Sequence, residues 1–66
     1  MNDIYGFAAE LRKQLREDMN VNADVLAQGG ASDFAHYKQL VGTITGLALA
    51  ERYLLDLLEK VKADDE

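Results

Sequence analysis

A single turn signal, the glycine pair at positions 29 and 30, divides a sequence that contains no proline. Because proline is the residue that most strongly stops a helix, each half of the chain is free to form one long helix. In the first half, apolar residues recur at helical spacing and fall within about 60° of Leu11 on a helical wheel. They are Ile4, Phe7, Leu11, Leu15, Val25 and Leu26.

The sequence predicts a single domain over residues 1–66, with a helix over about 3–27, a turn over 28–32 and a second helix over about 33–62. Glycine in the left-handed conformation is expected to end the first helix, and Ser32 is expected to cap the second. Asn20 and Asn22 are weak helix formers, which leaves open a break in the first helix. Because the turn is short, the two helices should lie antiparallel.

Composition narrows the classes of function that such a hairpin can have. A chain of 66 residues buries little apolar surface, and it has no cysteine for a disulfide or a thiolate metal site. A single histidine, His36, is too few for a histidine zinc site, so neither a metal nor a cofactor is predicted. The net charge of -5 argues against a nucleic-acid coat and against docking on an anionic membrane. The sequence also lacks the pattern of a signal peptide or a membrane span, which indicates a soluble cytoplasmic protein.

The second helix carries apolar residues over nearly half of its circumference, more than the stripe of the first helix can cover. A monomer would leave leucines in water, so we expect hairpins to associate, most simply as a dimeric four-helix bundle. The predicted fold class is therefore all-α, an antiparallel two-helix hairpin that assembles into a homo-oligomeric helical bundle. The predicted oligomer interface comprises Leu40, Gly42, Gly46, Leu47, Leu54, Leu58 and Val61.

Two glycines one turn apart, Gly42 and Gly46, form a second stripe of this helix together with Leu49 and Tyr53. Removing two side chains from one place permits close approach by another helix, a bulky ring or a ligand. Tight helix packing is the expected use, and the alternatives are a ligand groove and simple tolerance of glycine.

Glu51 lies among the leucines of the second helix, where a bare carboxylate would be costly to bury. In a hairpin that turns near Gly30, Glu51 lies level with Ala9 and one helical turn from Arg12. We therefore predict a structural ion pair between Glu51 and Arg12, within the chain or across the interface. The first alternative is an exposed glutamate in a bundle that does not close there. A catalytic acid is the lesser alternative, because no neighbouring residue in the sequence supplies a second catalytic group. The protein is predicted not to be an enzyme.

Tyr5, Arg12 and Arg16 share a flank of the first helix. Together with Tyr53 they form a set of rings and guanidinium groups that is able to stack on a nucleotide or hold a phosphate. The ordinary alternative is a solvated flank whose long side chains lie along the helix surface. Both interpretations stay open at this point.

The stretch YKQLVGTITGLALAERYLLDLLEKV, residues 37–61, resembles a group of small tailed-phage proteins, mostly of unassigned function. The shared helix pattern is met by Tyr37, Leu40, Gly42, Ile44, Gly46, Leu47, Ala50, Glu51, Leu54, Asp56 and Leu57. This resemblance implies a place among the virion-morphogenesis genes of short-tailed phages. A weaker, architectural resemblance is to phage hairpin proteins that sequester cyclic nucleotides and so blunt host immune signalling.

These resemblances imply a phage-encoded, non-enzymatic, oligomeric binding protein of the host cytoplasm or the virion. Its expected partners are its own copies and a head, portal or tail component that docks on the second helix during virion assembly. The alternative is a counter-defence protein that sequesters a cyclic nucleotide messenger or inhibits a host protein. In that case Tyr5, Arg12, Arg16 and Tyr53 would be the ligand contacts.

Overall fold

The computed structural model describes residues 3–65, which form two α-helices joined by a short turn. Helix α1 spans Ile4–Ala27 and helix α2 spans Phe34–Asp65. The helices lie antiparallel along each other in a rod whose extents are 50 × 20 × 13 Å. The predicted all-α two-helix hairpin is confirmed. Met1, Asn2 and Glu66, which the predicted domain includes, lie outside the described residues.

Helix α1 begins after Asp3, whose side chain accepts a hydrogen bond from the backbone N–H of Gly6 at 2.6 Å. This contact satisfies one of the free N–H groups of the first turn. The helix then runs without a break through Asn20 and Asn22. The side chain of Asn22 donates to the carbonyl of Asp18 at 2.8 Å, so its polar group is satisfied within the helix itself.

The turn is built on Gly29, whose φ of 71° lies in the left-handed region that favours glycine. Its N–H donates to the carbonyl of Leu26 at 3.1 Å, and the N–H of Gly30 donates to the carbonyl of Val25 at 2.8 Å. This pair of bonds is the Schellman arrangement, which satisfies the last carbonyls of a helix. Helix α1 therefore ends where the glycine pair predicts.

The capping residue of α2 is Asp33, and the prediction of Ser32 is wrong. The carboxylate of Asp33 accepts from the backbone N–H of His36 at 2.8 Å, and the backbone N–H of Ser32 donates to the imidazole of His36 at 3.0 Å. An aspartate one residue later serves better because its negative charge also favours the positive helix end. At the other end α2 reaches Asp65, beyond the predicted end at residue 62, since neither glycine nor proline stops it.

The two helices meet through a single layer of side chains. Among the described residues, the buried apolar side chains are Ala8, Met19 and Leu40. Leu15 of α1 and the facing leucines of α2, Leu47, Leu54 and Leu58, are only half-buried. Two helices enclose no interior, so each apolar side chain keeps one side open to water, and much apolar surface stays exposed.

We expect Asp33→Ala to lower the free energy of unfolding by about 1 kcal/mol, the usual effect of removing an N-cap carboxylate. The matched control is Ser32→Ala, which keeps the backbone bond from residue 32 to His36 and should have little effect. Urea unfolding followed by circular dichroism measures both variants. A larger loss with Ser32→Ala would show that the cap is assigned to the wrong residue.

Candidate functional site

A carboxylate shared by two guanidinium groups lies at the middle of the hairpin. Glu51 is only 8% exposed and is the one buried charged residue among those described. Arg16 donates to both carboxylate oxygens, from Nε to Oε2 at 2.6 Å and from Nη2 to Oε1 at 3.0 Å. Arg12 donates from Nε to Oε2 at 3.1 Å. The carboxylate is thus fully engaged although it lies among leucines.

The helical spacing of the two arginines explains why both reach one carboxylate. Arg12 and Arg16 are one turn apart on α1, so their side chains leave the helix in nearly the same direction. Glu51 lies between them in level and accepts from both. The arginine side chains remain 50% and 56% exposed, while that of Glu51 is 10% exposed, so the cations cover the anion and keep their own contact with water.

Arg12 is the partner that the sequence analysis predicted, and the structure puts it in contact with Glu51. Arg16, assigned there only to a ligand set, makes the stronger contact because its two parallel bonds match the fork of a carboxylate. The signal that would have found it is the i, i+4 spacing of the two arginines, with the level of Glu51 falling between them. When partners of Glu51 are considered one at a time, the antiparallel levels of the two helices point only to Arg12.

The hydrogen bonds from Arg16 lower the pKa of Glu51 below its usual value, and the bond from Arg12 and the charges of both arginines act in the same direction. Partial desolvation of the carboxylate opposes them, with the smaller effect. Glu51 is therefore ionised at neutral pH. A general acid needs a proton to donate, so this geometry does not suit Glu51 to that role.

A shallow groove of about 470 Å³ runs beside the ion pair. It is lined by Tyr5, Ala8, Ala9, Arg12, Lys13, Arg16, Leu55 and Leu58. Three of the four suggested ligand contacts therefore share one groove. Tyr53 does not line it, because a residue two positions from Glu51 lies about 200° away around the helix. The four side chains cannot meet one small ligand within a single hairpin.

The predicted oligomer interface is divided between two sides of α2. Leu40 is buried and Leu47, Leu54, Leu58 and Val61 are half-buried, so this leucine arc lies toward α1. Gly42 and Gly46 lie away from α1 and are exposed. A Cβ added at either glycine would meet no atom within 4 Å, so contacts within the hairpin do not require glycine at these positions.

An apolar surface remains at the open end of the hairpin, where α1 begins and α2 ends. A small groove there, of about 140 Å³, is lined by Ile4, Phe7, Ala8, Leu54, Leu57, Leu58 and Val61. Phe7 is 71% exposed, Leu57 58% and Ile4 51%, and Leu11 continues the surface along α1. We call the exposed set Ile4, Phe7, Leu11 and Leu57 the open-end face. The predicted oligomer interface includes none of these four residues.

Within residues 3–65, no three side chains of the types that ligate metals cluster closely enough to hold an ion. Over the same residues, neither helix combines the length and the apolar composition needed to cross a bilayer. No protein-family model, curated protein or solved structure matches the chain.

We expect a double-mutant cycle between Arg16→Ala and Glu51→Ala to give a larger coupling energy than the cycle between Arg12→Ala and Glu51→Ala. The reason is that Arg16 makes two of the three bonds to the carboxylate. Lys13→Ala is the control, because Lys13 lines the same groove without a bond to Glu51. Urea midpoints measure each cycle, and equal coupling for Lys13 would contradict a specific ion pair.

The contribution of Glu51 should depend on pH in one direction. Since its pKa is lowered on folding, the ionised carboxylate stabilises the hairpin above the unfolded pKa of about 4.3, and this stabilisation is lost as pH falls below that value. Urea midpoints of the natural chain and of Glu51→Gln should therefore differ by a constant amount from pH 7 to about pH 5, then converge at lower pH. Glu10→Gln, at an exposed position, controls for the loss of one charge. A gap that widens on acidification would contradict the pairing.

Proposed function

We propose that this chain is a non-enzymatic binding protein that acts as a homo-oligomer of helical hairpins. The observation that best supports this proposal is that the hairpin exposes more surface than a compact monomer of the same mass. The hairpin exposes 5135 Å², whereas a compact monomer of 7.3 kDa exposes about 4,200 Å². The surplus, on the order of 900 Å², is close to the roughly 800 Å² that each partner buries in a standard protein interface.

The role that we propose is that of an accessory protein of virion assembly in a phage. Two observations support it. The outward side of α2, with Gly42, Gly46, Leu49 and Tyr53, is exposed and faces away from α1, so a head, portal or tail component can reach it. The same helix carries the pattern that resembles small tailed-phage proteins. A binding role needs no reacting group, only a rigid surface of the right shape.

The second candidate is a counter-defence protein that sequesters a cyclic nucleotide messenger. The groove lined by Tyr5, Arg12 and Arg16 favours it, because rings and guanidinium groups bind bases and phosphates. Two features weigh against it. Both arginines already donate to Glu51, and Tyr53 lies on another side of α2. We therefore place this candidate below the assembly role.

Light scattering coupled to size exclusion tests the oligomer. At micromolar concentration we expect a mass that is a multiple of 7.3 kDa, with a dimer as the smallest species. The physical reason is that association removes exposed apolar side chains from water. A mass of one chain at every concentration up to the millimolar range would contradict the proposal.

The two biological roles are separated by two further measurements. Mass spectrometry of purified virions, and of their assembly intermediates, should detect the chain if it is an assembly protein. Thermal-shift assays with cyclic di- and trinucleotides should show no stabilisation. A clear shift with one of these nucleotides, together with absence from virions and intermediates, would favour the counter-defence role.

A further inference from the structure

Part of the exposed apolar surface lies on one side of the hairpin, whereas Tyr5, Phe34, Tyr37 and Leu49 lie elsewhere. Ile4, Phe7 and Leu11 are spaced so that they fall within about 60° on α1, and Tyr53 and Leu57 are one turn apart on α2. The groove at the open end joins the two sets, since Ile4, Phe7 and Leu57 all line it. One continuous apolar surface therefore crosses both helices.

We propose that this open-end face is the surface on which a second copy of the chain docks, in a two-fold dimer. The inference rests on the proposed function and adds to it the surface, the partner and the arrangement. The two-fold axis runs parallel to the hairpin, so α1 of each copy lies antiparallel against α2 of the other. The result is a four-helix bundle in which neighbouring helices are antiparallel.

Charge decides which side of the hairpin takes the second copy. The four residues of the open-end face are uncharged, and the acidic residues on this side of α1 are Glu10, which borders Phe7 and Leu11, and the exposed Asp18. The opposite side carries Arg12, Lys13 and Arg16 around one carboxylate, Glu51. A two-fold contact on that side would place two such cationic groups against each other, which is unfavourable.

The register of the hairpin determines which side chains meet in the dimer. Glu51 lies level with the middle of the Arg12–Arg16 turn, so Phe7 lies near the level of Leu57, and Leu11 lies near that of Tyr53. An axis parallel to the hairpin preserves these levels between copies. Phe7 of one copy then packs on Leu57 of the other, and Val21, which is exposed on the same side of α1, is covered as well.

The area available matches this arrangement. The surplus of about 900 Å² is what a standard interface requires from one partner. An axis perpendicular to the hairpin would overlap only the open ends, which span about 10 Å along α1 from Ile4 to Leu11. Beyond Leu11 the same side of α1 carries the exposed Val21, which such a shifted overlap would leave in water, whereas the parallel axis covers it together with Asp18.

Phe7→Lys tests the face, and Phe34→Lys is its matched control. The two phenylalanines are 71% and 73% exposed, but Phe34 lies at the turn end of α2, where its ring stacks on Tyr37 at 6.1 Å. We expect Phe7→Lys to weaken the dimer on the order of 100-fold or more, since each dimer loses two large aromatic contacts and gains two charges in an apolar interface. Phe34→Lys should leave the dimer dissociation constant within about threefold. Sedimentation equilibrium measures both, with circular dichroism confirming that each variant is helical.

Crosslinking tests the arrangement without relying on the lysine variants, because the chain has no cysteine of its own. A mixture of Phe7→Cys and Leu57→Cys chains should form a disulfide-linked pair on mild oxidation, whereas Phe7→Cys alone should form none. A linked pair from Phe7→Cys alone would overturn the parallel axis.

The outcomes separate this inference from the function on which it rests. If the natural chain is a monomer at every concentration, both fail. If it is an oligomer that survives Phe7→Lys, or that Phe34→Lys weakens equally, the assignment of the face fails and the oligomeric binding protein stands. Selective loss with Phe7→Lys, together with the mixed crosslink, supports the dimer as described.

Discussion

The shared carboxylate of Glu51 is the contact on which the rest of the hairpin depends. Apolar packing is not directional, and two helices held only by leucines and alanines can slide past each other by a turn at small cost. Three hydrogen bonds from Arg12 and Arg16 to one carboxylate oppose that sliding, because a shift of one turn would move one of the two arginines out of reach of a buried anion. The ion pair therefore sets the level at which each residue of α1 meets α2. It also decides which apolar side chains lie together at the open end.

The second constraint is the thinness of a two-helix fold. Apolar side chains pack fully only when they are enclosed on several sides, and a pair of helices encloses none. Met19 and Leu40 are covered because they lie where the two helices face each other, while Phe7 and Leu57 lie to one side of the contact and are mostly in water. The exposed apolar surface is thus a consequence of geometry. The same exposed apolar surface is the reason that we propose association.

The parts of the structure that depend on local chemistry were predictable from the sequence. The helices follow from apolar spacing, the turn from Gly29, and the contact of Arg12 with Glu51 from antiparallel levels. Predicting the contact of Arg16 required knowing that one carboxylate accepts from two donors. Predicting the cap of α2 required a choice between two adjacent polar residues. The part of the leucine arc that α1 covers was harder to predict. A helical wheel shows that Leu47 and Leu58 are apolar, but it does not show which side of the arc faces α1. That choice depends on how the turn directs α2, which periodicity does not encode.

The geometry of the proposed dimer has a consequence for docking on a third protein. In a four-helix bundle each α2 contacts α1 of its own chain on one side and α1 of the other copy on the next. Leu49 lies opposite the hairpin contact of α2, and it stays exposed in the dimer together with the stacked rings of Phe34 and Tyr37 at the turn end. Tyr53 belongs both to the docking side of α2 and to the surface that the second copy covers, so docking on the dimer would rely on Leu49 and the turn end. A dimer would present two such surfaces related by a two-fold axis, and a partner with matching symmetry would bind both at once with increased avidity.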